Sequence, residues 1–455
     1  MLTGCGTSHV AMTSTTAATP KPPRVEPDVQ RVVPRLRRVQ VTVVDGDTHH
    51  RVVHAHVRIG SRVATSNRDG VVRIPLRHRA PLVTVASKAG YATRAVRLSF
   101  RRHPKSTIRI YQRRLQWSMY GVRPERSNAQ AAIKLRPPFR VVWSRGLGSL
   151  VEFPAVVADG VAYVANARGT IRALDMRTGA VVWRHDTPHG KMASSPAVSG
   201  ATLLVHGMDG HVWVLRRSDG TPLWHYTVGS PVESSPVVIG ELDVFGAWNG
   251  TVTALDLRTH RVRWRRSFGC KITSSATYTR GTVYLGDYCG RLLALRAADG
   301  AVRWSRHVNG RIYGTPAISG RRIFVPSSTG GSLTAFTTGG TRLWSRSTGS
   351  YVYSSPAVAA GRVFFGSYNG VFYALNARTG RTLWTRGTGG AISGAAVVVD
   401  GVAYAGSFAH RIVGVDVSSG RTVLDFPHGE YVPVSGSGKR LLLHGYSRVF
   451  AVEAR

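Results

Sequence analysis

Short apolar runs, each ending at a turn, recur through most of the chain. The stretch 351–390, "YVYSSPAVAAGRVFFGSYNGVFYALNARTGRTLWTRGTGG", shows the pattern most clearly. Its runs occupy 354–358, 362–365, 371–375 and 381–384. Glycine-containing turns separate the runs, and the apolar residues never follow the 3.6-residue period of a helix. The pattern therefore predicts four short strands joined by tight turns.

The same unit returns about every forty residues, which is the length of one four-stranded propeller blade. Its closing phrase is "ALDMRTGAVVW" at Trp183 and "ALNARTGRTLW" at Trp384. The first strands of successive units begin near Phe153, Ser194, Ser234, Ser274, Gly314, Ser354, Ser393 and Val434. The sequence thus predicts an all-β, eight-bladed β-propeller over residues 139–455.

The eighth unit stops at Arg455, before a fourth strand. The segment "FRVVWSRG", Phe139 to Gly146, precedes the first full unit and has no other strand to pair with. We expect it to complete the last blade, because ring closure removes open sheet edges.

A tryptophan closes almost every unit, with Leu424 in its place in the seventh. We expect each indole to cover a small alanine and a glycine-containing turn of a neighbouring blade, as a structural fastener between blades. These docking residues are Trp143, Trp183, Trp224, Trp264, Trp304, Trp344 and Trp384.

The phrase with Ala173, Asp175, Thr178, Gly179 and Trp183 resembles the tryptophan-docking motif of PQQ-like (pyrrolo-quinoline quinone) repeats. Propellers of the quinoprotein alcohol dehydrogenase-like and BamB-like type carry this repeat, and the resemblance implies their fold over 139–455.

Quinoprotein dehydrogenases hold the quinone and a calcium ion in the central funnel. They typically use Glu, Asn and Asp ligands, a stacking Trp and often a vicinal Cys pair. This sequence has no vicinal Cys pair, and its acids near the first strands, Glu152 and Glu233, belong to different blades. We therefore expect no cofactor and no catalytic or metal-binding residues, with a PQQ/Ca-dependent dehydrogenase as the alternative.

Residues 38–112 form a separate block of β-branched runs with turns at Asp45-Gly46 and Asp69-Gly70. The block resembles the carboxypeptidase regulatory-like β-sandwich, which implies an accessory domain. Residues 113–138 lack strand periodicity, and we interpret them as a connector that lies against the propeller through Trp117 and Tyr120.

Residues 1–37 contain Leu2-Thr3-Gly4-Cys5, which resembles a bacterial lipobox with Cys5 as the lipidated residue. A Thr/Ser/Pro-rich stretch typical of a flexible tether follows. No basic or apolar leader precedes the box, so either the true start lies upstream or the match is accidental. We expect an exported, extracytoplasmic protein held at the membrane by a lipid anchor only.

The remaining cysteines, Cys270 and Cys289, flank a hairpin that turns at Arg280-Gly281. This register places them nearly opposite each other, so we predict a disulfide. The alternative is two unrelated thiols. A disulfide agrees with export to an oxidising compartment.

The formal charge of +38, from 61 Lys and Arg against 23 Asp and Glu, has two interpretations. One is attraction to polyanions such as anionic lipid or an acidic polymer, and we expect such contacts in the basic block 38–112. The other is arginine scattered over solvated strands. No compact basic block or nucleic-acid motif occurs, so we expect no nucleic-acid partner.

Loops at one mouth of the central channel form the candidate partner-binding face, because charges and tyrosines mix there. Its residues are Glu152, Lys191, Glu233, Lys271, Arg311, Tyr313, Tyr351, Tyr353 and Tyr431. The alternative is a merely solvated rim. The sequence favours a monomeric, non-catalytic scaffold that binds a protein or cell-envelope polymer. A surface sensor or polysaccharide-binding module remains a further alternative.

Overall fold

The computed structural model describes residues 37–76, 81–100, 104–188 and 190–455. The predicted all-β class is confirmed, since these residues form forty strands and a single 3₁₀ turn, Arg113–Leu115. No helix in the described ranges is long and apolar enough to cross a membrane. Cys5, the cysteine of the predicted lipobox, lies outside the described residues.

The first seven strands form two sheets packed as a sandwich, with strand orders β4-β1-β7 and β3-β2-β5-β6. Their bounds are Arg37–Asp45 (β1), His56–Ile59 (β2), Arg62–Thr65 (β3), Val71–Leu76 (β4), Leu82–Ser87 (β5), Arg94–Leu98 (β6) and Lys105–Ile110 (β7). Alternate residues of these strands, such as Val41, Val57 and Ile108, fill a shared core.

Eight further sheets, here called blades 1 to 8, follow in the described part of the chain. Blade 1 contains Val156–Ala158 (β10), Val161–Ala165 (β11), Thr170–Asp175 (β12) and Val181–Asp186 (β13). Blade 2 contains Ala197–Ser199 (β14), Thr202–His206 (β15), His211–Arg216 (β16) and Pro222–Thr227 (β17). Blade 3 contains Val237–Ile239 (β18), Leu242–Gly246 (β19), Thr251–Asp256 (β20) and Arg261–Ser267 (β21). Blade 4 contains Thr277–Thr279 (β22), Thr282–Gly286 (β23), Arg291–Arg296 (β24) and Val302–His307 (β25).

The second half of the ring repeats this plan. Blade 5 contains Ala317–Ser319 (β26), Arg322–Ser327 (β27), Ser332–Thr337 (β28) and Arg342–Ser347 (β29). Blade 6 contains Ala357–Ala359 (β30), Arg362–Gly366 (β31), Val371–Asn376 (β32) and Thr382–Gly387 (β33). Blade 7 contains Val397–Val399 (β34), Val402–Ser407 (β35), Arg411–Asp416 (β36) and Thr422–Pro427 (β37), with Ala129–Gln130 (β8) added beside β34. Blade 8 contains Val434–Ser437 (β38), Arg440–His444 (β39), Arg448–Ala454 (β40) and Phe139–Gly146 (β9).

The ring closes as the sequence predicts. Strand β9 pairs antiparallel with β40, with Trp143 opposite Ala451 and Gly146 opposite Arg448. The innermost strands β10 and β38 also contact each other, which brings blade 1 against blade 8. One blade therefore takes strands from distant parts of the chain, so that no sheet edge is left open between the first and the last blade.

Each docking tryptophan except one lies against a glycine of the next blade. The Trp183 indole N–H donates to the Arg217 carbonyl (2.9 Å), and a Cβ at Gly220 would lie 2.5 Å from the ring. The other pairs are Trp143 with Gly179, Trp264 with Gly300, Trp304 with Gly340, Trp344 with Gly380 and Trp384 with Gly420. The exception corrects the sequence expectation: Trp224 stacks on His260, with ring centroids 4.3 Å apart.

The repeated Ser-Ser-Pro phrase also joins neighbouring blades. The Ser195 backbone N–H donates to the Ser235 hydroxyl (3.0 Å), and Ser235 donates in the same way to Ser275 (2.9 Å). The chain of hydrogen bonds continues through Thr315 to Ser355. A hydroxyl at this position therefore satisfies a buried N–H of the preceding blade.

The connector crosses one end of the channel rather than simply covering the propeller. Its carbonyls accept backbone hydrogen bonds from the innermost strands of six blades. The pairs are Trp117 with Val157, Ser118 with Val198, Pro124 with Tyr278, Glu125 with Ile318, Ser127 with Val358 and Asn128 with Val398. Trp117 and Tyr120, as expected, are buried against the propeller.

The Arg126 side chain of this connector is fully buried. Its guanidinium donates to the carbonyls of Ala276 (3.1 Å), Pro236 (2.7 Å) and Tyr120. Burial lowers the pKa of Arg126 to about 10. The connector thus closes one end of the channel, and the opposite end carries the candidate site.

Candidate functional site: the axial face

Two chain segments of each blade meet at the open end of the channel. The turn after the second strand lies beside the segment before the first, joined by a backbone hydrogen bond. Examples are the N–H of Tyr288 to the carbonyl of Lys271 and the N–H of Tyr368 to the carbonyl of Tyr351, both 2.9 Å. We call the resulting surface the axial face. It consists of Glu152, Glu233, Trp248, Lys271, Tyr288, Arg311, Tyr313, Tyr351, Tyr353, Tyr368, Phe408 and Tyr431.

Two glutamates share one tyrosine at the centre of the axial face. The Tyr313 hydroxyl lies 2.5 Å from Glu233 Oε1 and 3.4 Å from Glu152 Oε1. The two acids belong to different blades, as the sequence indicates, but the ring brings blades 1, 3 and 5 together at the axis, so both carboxylates contact one tyrosine. Burial, with the added charge of Glu233, raises the pKa of Glu152 to about 7.

Burial also raises the pKa of Tyr313, and the charges of both glutamates add to the shift. The Tyr313 hydroxyl therefore stays protonated and donates a hydrogen bond at neutral pH.

Aromatic rings form an arc across blades 5 to 8. Successive ring centroids are 5.5 Å apart for Tyr313 and Tyr353, 5.0 Å for Tyr353 and Tyr368, 5.8 Å for Tyr368 and Phe408, and 5.6 Å for Phe408 and Tyr431. Edge-to-face contacts of this kind hold each ring in place. Tyr368 and Phe408 nevertheless remain 37% and 36% exposed, which leaves apolar surface facing solvent.

Cations occupy the other half of the face. The Lys271 ammonium lies 3.2 Å from the centroid of the Trp248 ring, and the Arg311 guanidinium lies 5.5 Å from that of Tyr288. The Trp248 indole N–H in turn donates to Glu233 (3.0 Å). Burial lowers the pKa of Lys271, since fewer water molecules solvate its charge.

Cys270 and Cys289 form a disulfide at the edge of this cationic half, with Cα atoms 5.9 Å apart. Cys270 precedes Lys271 and Cys289 follows Tyr288, so the bond joins the two segments that carry these side chains. It therefore restricts the part of the face where cations and aromatic rings contact each other.

Five of the nine predicted face residues line one small cavity on the axis. These are Glu152, Glu233, Tyr313, Tyr353 and Tyr431.

Three others, Lys271, Arg311 and Tyr351, lie around the cavity without lining it. Lys191 is exposed, and its charge slightly opposes the rise in the pKa of Glu152.

Sequence reasoning missed four aromatic residues of the axial face. They follow the second strand within two residues, in "AWNG", "DYCG", "SYNG" and "SFAH". They are Trp248, Tyr288, Tyr368 and Phe408. These residues could have been recognised from the repeat, because the turn after the second strand occupies the same place in every blade.

The axial cavity does not fit a quinone with a calcium ion. Its volume is about 40 Å³, whereas pockets for small organic molecules usually have roughly 300–1,000 Å³. Within the described ranges, no group of three or more His, Cys, Asp or Glu is placed to hold a metal ion. Calcium needs six to eight oxygen ligands, and both oxygens of Glu233 already accept hydrogen bonds from protein groups.

Comparisons with known proteins cover the connector and the propeller. The family described as outer membrane protein assembly factor BamB matches residues 116–246 and 248–454. A protein of that name from Xanthomonas campestris pv. campestris is 31% identical over 117 residues. The alignment spans 22% of this chain but only 29% of that relative.

Two solved structures share the fold. BamB from Moraxella catarrhalis has a TM-score of 0.61 at 17% identity, covering 69% of this chain and 99% of that one. Quinohemoprotein alcohol dehydrogenase from Comamonas testosteroni has a TM-score of 0.65 at 14% identity, covering 74% of this chain and 80% of that one. At such identities the likeness concerns the fold alone.

Proposed function

Since the chain belongs to the family of outer membrane protein assembly factor BamB, we propose that it is a non-catalytic scaffold of the cell envelope that binds a protein partner through its axial face. The observation that carries this proposal is the arc of aromatic rings, with Tyr368 and Phe408 exposed, beside the cations Lys271 and Arg311. Protein interfaces are enriched in Tyr, Trp, Phe and Arg, and binding energy concentrates in such side chains.

The rigidity of the axial face supports a binding role. The closed ring, the connector across the channel and the Cys270–Cys289 disulfide all restrict the loops before any partner arrives. A surface ordered in advance loses little conformational entropy on binding.

The proposal includes an extracytoplasmic location and a monomeric chain. The disulfide favours an oxidising compartment, and a lipid anchor at Cys5 would hold the protein at a membrane. The basic sandwich of residues 38–112, which resembles a carboxypeptidase regulatory-like domain, would add contacts to anionic lipid or polymer.

Charge reversal on the axial face tests the proposal. The Lys271→Glu/Arg311→Glu variant is compared with wild type by co-purification after cross-linking in the native envelope. Arg303→Glu/Arg346→Glu is the matched control, because both arginines are exposed on outer strands of blades 4 and 5. We expect the face variant to lose at least about 90% of the captured protein and the control to lose little.

Capture that is equal for both double variants would contradict the proposal. Recovery of a polysaccharide in place of a protein would instead support the alternative of a polymer-binding module. The enzyme alternative has its own test: purified protein with added PQQ and calcium should reduce no dye in the presence of alcohols or sugars.

A further inference from the structure

The axial cavity combines negative charge with aromatic walls. Glu152 and Glu233 face it together with the rings of Tyr313, Tyr353 and Tyr431. We call this cavity the axial cup. Aromatic faces and carboxylates both attract cations, and they do so most strongly where water is excluded.

The two glutamates lack the ion-pair partners that several other acids of the described residues have. The protein carries 61 Lys and Arg against 23 Asp and Glu, and acids elsewhere pair directly, as Glu453 does with Arg440. Among the described residues, neither Glu152 nor Glu233 has a basic nitrogen within the 4.0 Å that defines an ion pair. Lys271 lies over Trp248 and does not line the cup.

The cup also contains a buried hydroxyl, that of Thr273. Thr273 is only 5% exposed and lines the cavity, and its hydroxyl makes no well-formed hydrogen bond, although it lies near the Tyr288 hydroxyl. A buried hydroxyl without a partner is unfavourable unless a ligand or a water molecule supplies one.

We propose that the axial cup binds a primary ammonium group, that of a lysine side chain on the protein partner. This inference rests on the proposed function and adds the chemistry that the partner must present. An ammonium has three N–H donors. The Glu152 and Glu233 carboxylates keep lone pairs beyond those that accept from Tyr313 and Trp248, and the Thr273 hydroxyl offers a third acceptor.

The size of the cup agrees with this ligand. Its volume of about 40 Å³ is a few times the roughly 10–15 Å³ that one water molecule needs, so it admits a small polar head group. The compact end of a lysine suits such a space, whereas its four-carbon stem would contact the surrounding rings. Residues next to that lysine would then lie on the exposed aromatic arc.

Binding should depend on pH through Glu152. The groups around it are Glu233, Tyr313, Lys191 and Tyr431. Because its pKa is about 7, Glu152 gains most of its charge between pH 6 and pH 8. Affinity for an ammonium should therefore rise by up to about ten-fold over this interval, if the ionised form binds best.

Binding of a small lysine analogue tests the inference. The full chain is titrated with N-acetyl-lysine methylamide and, separately, with N-acetyl-norleucine methylamide, which has the same stem without the ammonium. Ligand-observed NMR suits weak affinities. We expect the lysine amide to bind at least about ten-fold more tightly, since charged hydrogen bonds contribute most of the affinity.

Isosteric variants identify the site. Glu152→Gln/Glu233→Gln should abolish the preference for the lysine amide, and the exposed Glu241→Gln should leave it unchanged. The double variant removes two like charges from a buried site, so we expect it to fold, which thermal melting by circular dichroism checks.

Three results would overturn the inference: equal binding of the two amides, retained preference in the double variant, or displacement of the lysine amide by equimolar calcium chloride. The last would identify an inorganic cation site. If the lysine amide fails to bind while Lys271→Glu/Arg311→Glu still loses its partner, only this inference fails. If that face variant retains its partner as well, the proposed function fails with it.

Discussion

The fastening of Trp264 to Gly300 gives the sharpest test of how neighbouring blades hold together. Gly300 lies in the turn between the third and fourth strands of blade 4, with φ at +70°. A Cβ there would lie 2.5 Å from Trp264 Cε3 and 2.8 Å from Cδ2. Gly300→Ala therefore strains the backbone and displaces the indole at the same time.

The two effects can be separated by a matched glycine in the same blade. Gly281 has a similar φ of +75°, but a Cβ there would meet nothing within 4 Å. We expect Gly281→Ala to lower the free energy of unfolding by about 1–2 kcal/mol, the cost of a left-handed backbone for an L residue. Gly300→Ala should lower it by about 3–5 kcal/mol, because a docked tryptophan contributes on that scale.

The assay is equilibrium unfolding in urea followed by circular dichroism, which does not depend on the mutated indole. Wild type, both glycine variants, Trp264→Ala and Trp264→Ala/Gly300→Ala are compared. The double variant should be more stable than additivity predicts by about 1–3 kcal/mol, because the steric conflict needs the ring. Equal losses for the two glycine variants, or strict additivity, would refute this account of the fastener.

Three further predictions concern His444, the Cys270–Cys289 disulfide and Arg126. Burial lowers the pKa of His444 to about 4 from an ordinary 6.5, so stability that is present above pH 6.5 should be lost as the pH falls towards 4, by roughly 3 kcal/mol. His444→Gln should flatten that dependence in urea titrations at several pH values, and an unchanged slope would contradict the assignment. Cys270→Ser/Cys289→Ser should lower the free energy of unfolding by about 3 kcal/mol. In the wild-type protein, thiol titration should detect these two thiols only after reduction. Two free thiols before reduction would exclude the disulfide. Arg126→Met should lower the free energy of unfolding by about 3 kcal/mol, because several buried carbonyls lose their donor, and unchanged unfolding would show that the connector does not hold the channel end.

The architecture was predictable because a closed ring needs nearly equal units. The repeat determined the strand order of each blade. The strand around Trp143 belonged to no complete unit, so it could pair only with the incomplete last blade. The disulfide followed from hairpin register, which is a local property. In each case the contact that decides the structure joins neighbouring blades or the two sides of one turn.

The centre of the candidate site could not be predicted, because its contacts cross the axis. Glu152 and Glu233 meet at Tyr313 only once the ring is closed, and no sequence spacing encodes that distance. The burial of Arg126 was equally hidden, since an arginine in an aperiodic connector usually faces solvent. Positions whose burial or contacts differ from what the local sequence predicts often stabilise the fold or belong to a functional site.

Site-specific photo-cross-linking in the native envelope tests most directly whether the axial face carries the binding. A photo-reactive phenylalanine is placed at Tyr368, on the exposed aromatic arc, and separately at Leu343, which is 41% exposed on an outer strand of blade 5. We predict that Tyr368 yields one cross-linked protein partner and Leu343 yields none. Equal yields from both positions, or a cross-link from Leu343 alone, would contradict the assignment of function to the axial face.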